Sequence, residues 1–290
     1  MLDYPALAAL NEVIRRGTFE AAAAALGVTP SAISQRIRTL EDRMGTVLID
    51  RGPPLAATEA GMQLSAHLDK VRLLEAGLNQ NAAPPVLRLA INADSLATWV
   101  MPALTAASGL VDLVIDDQDH ALDWLRSGQV VASITSDSRA VAGCDCIALG
   151  SMRYRATATP DFVARHLPDG IGGDALSRAP SLNFNAKDAL QSRWAEIVSV
   201  QKQALTFHRI PSSHAFAQAT RLGLGWGLNP EIVVQQDLDQ GRLVDLAPEQ
   251  PLDVPLYWQS SRVAATMLSP LTKAIRKAAK AALLPGRPQS

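Results

Sequence analysis

The sequence predicts an α/β multidomain protein: a small helical unit at the amino end, one connecting helix, then a larger unit of alternating strands and helices. Three observations predict it. The 290 residues are enough for two or three compact units, each with its own core. In the first eighty residues apolar side chains recur at helical spacing, with helix stops at Gly17 and Gly27. From Val86 onward short apolar runs alternate with helical stretches, the pattern of a parallel sheet with helices on its faces.

Composition bounds the partners. Hydrophobic residues at 48% and charged residues at 19% suit a folded globular chain and argue against long disordered stretches. The start, MLDYPALAALNEVIRR, carries Asp3 and no basic segment before an apolar run, unlike a secretion signal. No run approaches the ~20 apolar residues of a membrane-spanning helix, so a cytoplasmic location is expected. The formal net charge is −1, and residues 1–82 hold Arg15, Arg16, Arg36, Arg38, Arg43, Arg51, Lys70 and Arg72 against nine acids. Composition therefore does not announce a polyanionic partner. Cys144 and Cys146 are expected to be buried strand residues without a mutual disulfide, and no second Cys or His pair suggests a metal site.

Leu7, Leu10 and Ile14 mark the first helix, which Gly17 ends, and Thr18 offers a cap for the second. Phe19, Ala23 and Leu26 share one face of that second, alanine-rich helix. After the Gly27-Val28 turn, Thr29 is a good N-cap and Pro30 sits at the first helical position, where its missing N–H is harmless. In the third helix Ile33, Ile37, Leu40 and Met44 form the stripe expected to pack on the first two. The opposite stripe holds Ser31, Gln35 and Arg38, with Ser34 and Arg36 beside it. Amide and guanidinium groups read base edges, and hydroxyls and guanidinium groups hold phosphates. Taken alone, the stripe fits an ordinary solvated face equally well.

The segment GTFEAAAAALGVTPSAISQRIRTLEDRMGTVLIDR, followed by ATEAG, resembles the DNA-binding domain of LysR-type transcriptional regulators along its whole length. The resemblance implies a winged helix-turn-helix at residues 1–60 that binds double-stranded promoter DNA. Its contact residues would be Thr29, Pro30, Ser31, Ala32, Ser34, Gln35, Arg36 and Arg38, with Arg51 in the wing. One departure is visible: GPPLAAT (Gly52 to Thr58) lacks the second basic residue that family wings carry. Leu64, Leu68, Val71, Leu74 and Leu78 then mark a helix resembling the family's linker, which implies a homodimer seam and a tetramer built from two dimers. Residues 61–85 are read as linker and hinge, with NAAPP closing the segment. RNA polymerase is a further partner that the family implies.

In the larger unit the periodicity predicts strands Val86–Ile91, Val111–Ile115 and Val130–Ile134, with a helix from about Ser95 and another over Ala121–Ser127 stopped by Gly128. A second group starts near Pro160: strand Ser181–Phe184, helix Asp188–Trp194, strand Leu205–Ile210, helix His214–Leu222 and the glycine-rich GLGWGLNP. Leu256–Gln259 returns the chain, and Ser269–Leu284 is a closing helix whose Lys273, Arg276, Lys277 and Lys280 read as a solvated basic face. In parallel sheets ligands gather at the carboxyl ends of strands, which here are Asp94-Ser95 and Thr135-Ser136.

This half resembles the periplasmic-binding-protein-like effector domain of LysR-type regulators. NADSLATW, DDQDH, FNAKDALQ and GLGWGLNP narrow the resemblance to the ArgP/LysG/IciA group. That group implies L-lysine or L-arginine as effector, no cofactor, and control of an amino-acid exporter or related genes. Lobe I would comprise residues 86–159 and 260–290, and lobe II residues 160–259. For such a ligand the turns at Ser95 and at Ser212-Ser213 could hold the α-carboxylate, with Arg153 as an alternative. Asp94 could meet the cationic end, although an Asp at a helix start more often serves as a cap. A nucleoid-associated or replication-control DNA-binding protein is the alternative reading. An enzyme finds little support, because GxSxG, P-loop and HExxH motifs are lacking and His67, His120, His166, His208 and His214 have no ligand spacing.

Overall fold

The computed structural model describes residues 2–76, 85–116, 121–172, 174–199 and 204–286. Most of the NAAPP hinge, Leu78 and most of DDQDH lie outside the described residues.

The amino-terminal unit is α1 (Tyr4–Arg16), α2 (Phe19–Leu26), α3 (Pro30–Met44), the hairpin β1 (Ile49–Asp50) and β2 (Ala56–Ala57), and α4 (Glu59–Ala76). Its helix ends follow the sequence signals. Thr18 and Thr29 accept hydrogen bonds from the N–H groups of Ala21 and Ala32, while Gly17 and Gly27 take the left-handed backbone at the carboxyl ends of α1 and α2. Leu7, Leu10, Val13, Ile33, Ile37, Leu40 and Leu48 form the core. Met44, expected in the packing stripe, is exposed. It falls in the last turn of α3, beyond the reach of α1 and α2.

The apolar edge of α4 divides. Leu68 is buried in the core of its own unit and Leu64 packs against that core, whereas Leu74 is exposed. Polar bonds reinforce the docking: Asn11 Nδ2 donates to Ser65 Oγ (2.8 Å) and Asp69 Oδ1 (3.1 Å), and Arg72 donates to Asn11 Oδ1 (3.2 Å). Helix α4 therefore moves with α1. Close approach also requires a glycine, because a Cβ on Gly61 would overlap the Leu48 carbonyl oxygen.

The larger unit runs β3 (Val86–Asn92), α5 (Ala93–Ser95), a π-helical turn (Leu96–Val100), α6 (Met101–Leu104), β4 (Leu110–Asp116), α7 (Ala121–Ser127), β5 (Ala132–Thr135) and β6 (Cys144–Ala158). It continues through α8 (Pro160–His166), α9 (Ala175–Arg178), β7 (Ser181–Asn183), α10 (Leu190–Ser199), β8 (Phe207–Arg209), α11 (Ser213–Arg221), β9 (Gly227–Pro230) and α12 (Glu231–Asp239). The chain closes with β10 (Val244–Asp245), β11 (Leu252–Ser261), a 3-10 turn (Arg262–Ala264) and α13 (Ala265–Ala282).

Seven strands form one sheet in the order β10-β6-β11-β5-β3-β4, with β9 also on β6, while β7 and β8 form a parallel pair. Strands β3, β4 and β5 are parallel, as the alternation of strands and helices requires. The long antiparallel pair β6 and β11 crosses from the β3–β5 side to the β9–β10 side, with a bulge where Leu256 pairs Gly150 and Tyr257 pairs Ala148. Below, lobe I denotes the β3–β5 side with α13, and lobe II the side holding β7 to β10.

Cys144 and Cys146 both lie on β6 and both are free. Residues two apart on a strand share a face and sit about 6.6 Å apart, too far for the ~3.8 Å between disulfide Cβ atoms. Cys144 is buried, but Cys146 is only half-buried, which corrects the expectation for that residue.

Candidate functional site

Two faces of the molecule collect the predicted residues. On the first, α3 turns Ser31, Gln35 and Arg38 outward, all exposed, with Ala32, Ser34 and Arg36 half-buried beside them. Thr29 and Pro30 open the helix on the same exposed side, and the Thr29 and Ser31 hydroxyls bond each other at 2.9 Å. Among the described residues neither Arg36 nor Arg38 has an acidic partner, so both guanidinium groups are available to an anion. Arg51 stands apart. Its guanidinium lies 5.5 Å from the Phe19 ring centroid and 3.6 Å from Glu41 Oε2, and Glu41 in turn accepts from the N–H groups of Leu48 and Ile49. The geometry makes Arg51 a tie between the wing and the helices.

The second is the junction between the lobes, referred to below as the cleft. Asn92 ends β3 beside Thr135 of the parallel strand β5, and the helical turn holding Asp94 and Ser95 follows at once. Across from them, Asn183 ends β7, its carbonyl accepts from Ile210 N, and the chain then reaches Ser212 and Ser213 at the start of α11. The carboxyl ends of both parallel sets thus meet. Asp94 joins them: its Oδ2 accepts from the Tyr154 hydroxyl at 2.7 Å, and the Ser213 hydroxyl faces the carboxylate without closing to hydrogen-bond geometry.

The electrostatics of this point are unusual. Burial pushes the Asp94 carboxyl above the ordinary carboxylate range, and the hydroxyls of Ser213 and Tyr154 work against that rise. Burial, followed by the neighbouring Asp94 charge, also pushes the Tyr154 phenol well above its usual value. The described residues give Asp94 hydroxyl partners and no cation. Around it Asn92 Oδ1, Ser95 Oγ and Asn183 Oδ1 are buried without hydrogen-bond partners. Buried polar atoms are nearly always satisfied, so orphans grouped in this way leave hydrogen-bonding capacity that suits a polar molecule.

The predicted residues do not all converge there. Asp94, Ser95, Thr135 and Ser213 belong to the cleft. Ser212 serves as the cap of α11, accepting from Ala215 N at 3.4 Å. Ser136 lines a polar recess of about 490 Å³ with Asp123, Arg126, Asp137 and Arg139. Arg153 points the other way: it is bound bidentate by Asp253 at 2.8 and 2.9 Å and lines a groove with Glu231, Gln235 and Leu284. Asp94 is not a helix cap, since Asn92 holds that position and makes no side-chain cap bond, leaving the first-turn N–H groups of α5 uncapped. Tyr154, Asn92 and Asn183 were missed. Alternation could have found Tyr154, because Met152, Tyr154 and Ala156 share the buried face of β6 while Arg153 and Arg155 take the other.

Comparison with known proteins bears on both faces. Residues 5–62 match the family described as bacterial regulatory helix-turn-helix protein, lysR family, and residues 82–282 match the LysR substrate binding domain. The chain belongs to the LysR family of transcriptional regulators. This LysR-family chain is 42% identical to the transcriptional regulator ArgP of Pseudomonas fluorescens Pf-5, over 98% of its length and 99% of the relative's. It is 39% identical to LysG of Mycobacterium tuberculosis H37Rv, over 96% of its length and 94% of the relative's. Among solved structures, ArgP from Mycobacterium tuberculosis superposes with a TM-score of 0.84 at 38% identity, covering 99% of this chain and all of that one. Full-length LysG from Corynebacterium glutamicum with bound effector Arg gives 0.70 at 36% identity, over 98% of this chain and 100% of that one. The winged helix-turn-helix, the two-lobed effector half and the function as a DNA-binding transcriptional regulator are thereby established, and the expected ArgP/LysG kinship holds.

Proposed function

We propose that this regulator senses a basic amino acid, L-arginine or L-lysine, in the cleft at Asp94 and alters its hold on promoter DNA in response. The observation that carries the reading is a buried carboxylate supplied with hydroxyls but no cation, ringed by unpaired polar atoms. A buried charge without a counter-charge costs several kcal/mol, which a ligand ammonium or guanidinium group would offset. The uncapped N–H groups of α5 and the Ser95 hydroxyl suit the ligand carboxylate. The arginine bound in the LysG structure supports this choice of ligand. On the DNA side, α3 would enter the major groove with Ser31, Gln35 and Arg38 at base edges and Arg36 at a phosphate, Thr29, Pro30, Ala32 and Ser34 lining the approach. The regulator would work in the cytoplasm as a homodimer or a pair of dimers, controlling an exporter or related genes, with no chemistry of its own.

Calorimetry with free amino acids, paired with gel shifts on an operator selected by this protein from random duplexes, tests the reading. L-arginine or L-lysine should bind wild type and change operator affinity. Ser95→Leu, which drives a bulky group into the cleft, should abolish both effects. Equal ligand affinity and an equal ligand-induced change in Ser95→Leu would place the effector elsewhere.

A further inference from the structure

Helix α4 belongs to the DNA-binding unit, yet it also touches lobe I. It packs on the 3-10 turn Arg262–Ala264 and on α7. The deepest contact is Lys70. A Cβ on Gly128 would overlap both Cε and Nζ of Lys70, so the ammonium group rests on the one residue of that turn that has no side chain. Gly128 ends α7 with φ of +76°, where a glycine is favoured twice over, by backbone conformation and by room for the lysine. Lys70 also lines a cavity of about 120 Å³ with Leu125, Val131, Gly143, Cys144 and Ala264. Its charge, ahead of that of Arg262, opposes the burial that pushes the Cys144 thiol up, which agrees with an ammonium seated close by. A cation at the carboxyl end of α7 is also favourably placed against the negative end of the helix dipole.

Both ends of this contact are fixed to functional parts. On one side α4 is bolted to α1 through Asn11, Ser65, Asp69 and Arg72, so a displacement of Lys70 is a displacement of the unit that carries α3. On the other side, Gly128 leads through Val131 into β5, whose last residue is Thr135 at the cleft; that strand spans only about 13 Å. The 3-10 turn is tied to the same place, with Ser261 N donating to Val131 O and Arg262 N to Gly143 O.

We propose that Lys70, seated on Gly128 at the end of α7, is the positioning residue through which occupancy of the lobe I cleft reaches the DNA-binding unit. This rests on the reading that a ligand in the cleft changes DNA binding. Lys70 touches neither ligand nor DNA. It sets the angle at which α4 leaves lobe I, and a shift of β5 and α7 on ligand binding is passed to α4 through the close contact of the ammonium group with the Gly128 backbone.

Three variants test it: Lys70→Ala, Gly128→Asn and the double. Asn tolerates the left-handed backbone, so Gly128→Asn displaces the lysine while the turn persists. The first readout needs no ligand. With labels attached through non-natural side chains at Gln35 on α3 and Thr105 in lobe I, the distance distribution should broaden or shift in each single variant. The second readout is the change in affinity for the selected operator caused by saturating L-arginine. That change should fall at least threefold in each single variant and no further in the double, while the L-arginine Kd stays within about twofold of wild type. A wild-type distance distribution in Lys70→Ala would overturn the proposal, as would an undiminished response to L-arginine. If L-arginine does not bind wild type, the effector reading fails by itself, and the distance measurement still decides the contact.

Discussion

Asp94 carries the clearest energetic signature of any single residue. Its folded-state pKa lies above the ordinary 3.8, with burial the leading cause. A carboxyl raised in this way contributes stability that is fully present below the ordinary value and is lost as pH rises through the folded value. The contribution of Asp94 to the Tm of the ligand-free protein should therefore decline as pH rises above about 4, and Asp94→Asn should flatten the Tm profile relative to wild type and raise Tm at pH 7 while abolishing arginine binding. A profile identical to wild type would mean that the carboxylate is already compensated. Gly61 supplies a second test at this scale. Because its Cβ would meet the Leu48 backbone, Gly61→Ala should cost about 1–3 kcal/mol by denaturant unfolding. Gly172, with open space around its Cβ position, is the control in which alanine should be neutral or mildly stabilising.

At the scale of elements, the sequence shows most clearly those parts that carry local punctuation. The caps at Thr18 and Thr29 and the glycines at 17, 27 and 128 end helices where they were expected to, and α7 ends at Ser127 just before Gly128. The fifteen-residue strand β6 was legible only at its Cys144–Cys146 end. Its alternation slips at the bulge near Leu149 and Gly150, where the strand passes from one lobe to the other and the partner face changes. Missing the rest of β6 meant missing Tyr154 and putting Arg153 in the cleft. The edge of α4 shows a related limit: periodicity reveals that Leu64 and Leu68 face something apolar but not that it is the core of their own unit. For α3 the outward stripe yields a direct test. Gln35→Ala should lose about 1–3 kcal/mol of operator preference per base contact while keeping most non-specific binding, measured as the ratio of operator to random-duplex affinity. An unchanged ratio would mean that another element reads the bases.

For the whole molecule the question is how a chain of net charge −1 holds a polyanion. Most of its arginines are spoken for: in the DNA-binding unit Arg15 and Arg16 pair with Glu12, Arg43 with Asp3, Arg51 with Glu41 and Arg72 with Asp69. Arg36 and Arg38 remain, and the wing tip Gly52-Pro53-Pro54 has no charge to add. DNA affinity should then depend on few phosphate contacts and on having two recognition helices at once, which the exposed Leu74 end of α4 can supply by pairing two chains. Light scattering at micromolar concentration should report at least a dimer, with half-sites spaced by multiples of about 10 base pairs. Each phosphate contact adds roughly 0.9 to the slope of log K against log salt. A dimer of Arg36→Gln chains should therefore flatten that slope by about 2, with Arg36 at a phosphate in each half-site. The exposed Lys273, Arg276, Lys277 and Lys280 of α13 provide the contrast. As a solvated face they should leave the slope unchanged when all four become Gln, and a loss as large as that of Arg36→Gln would show instead that DNA wraps onto the effector half.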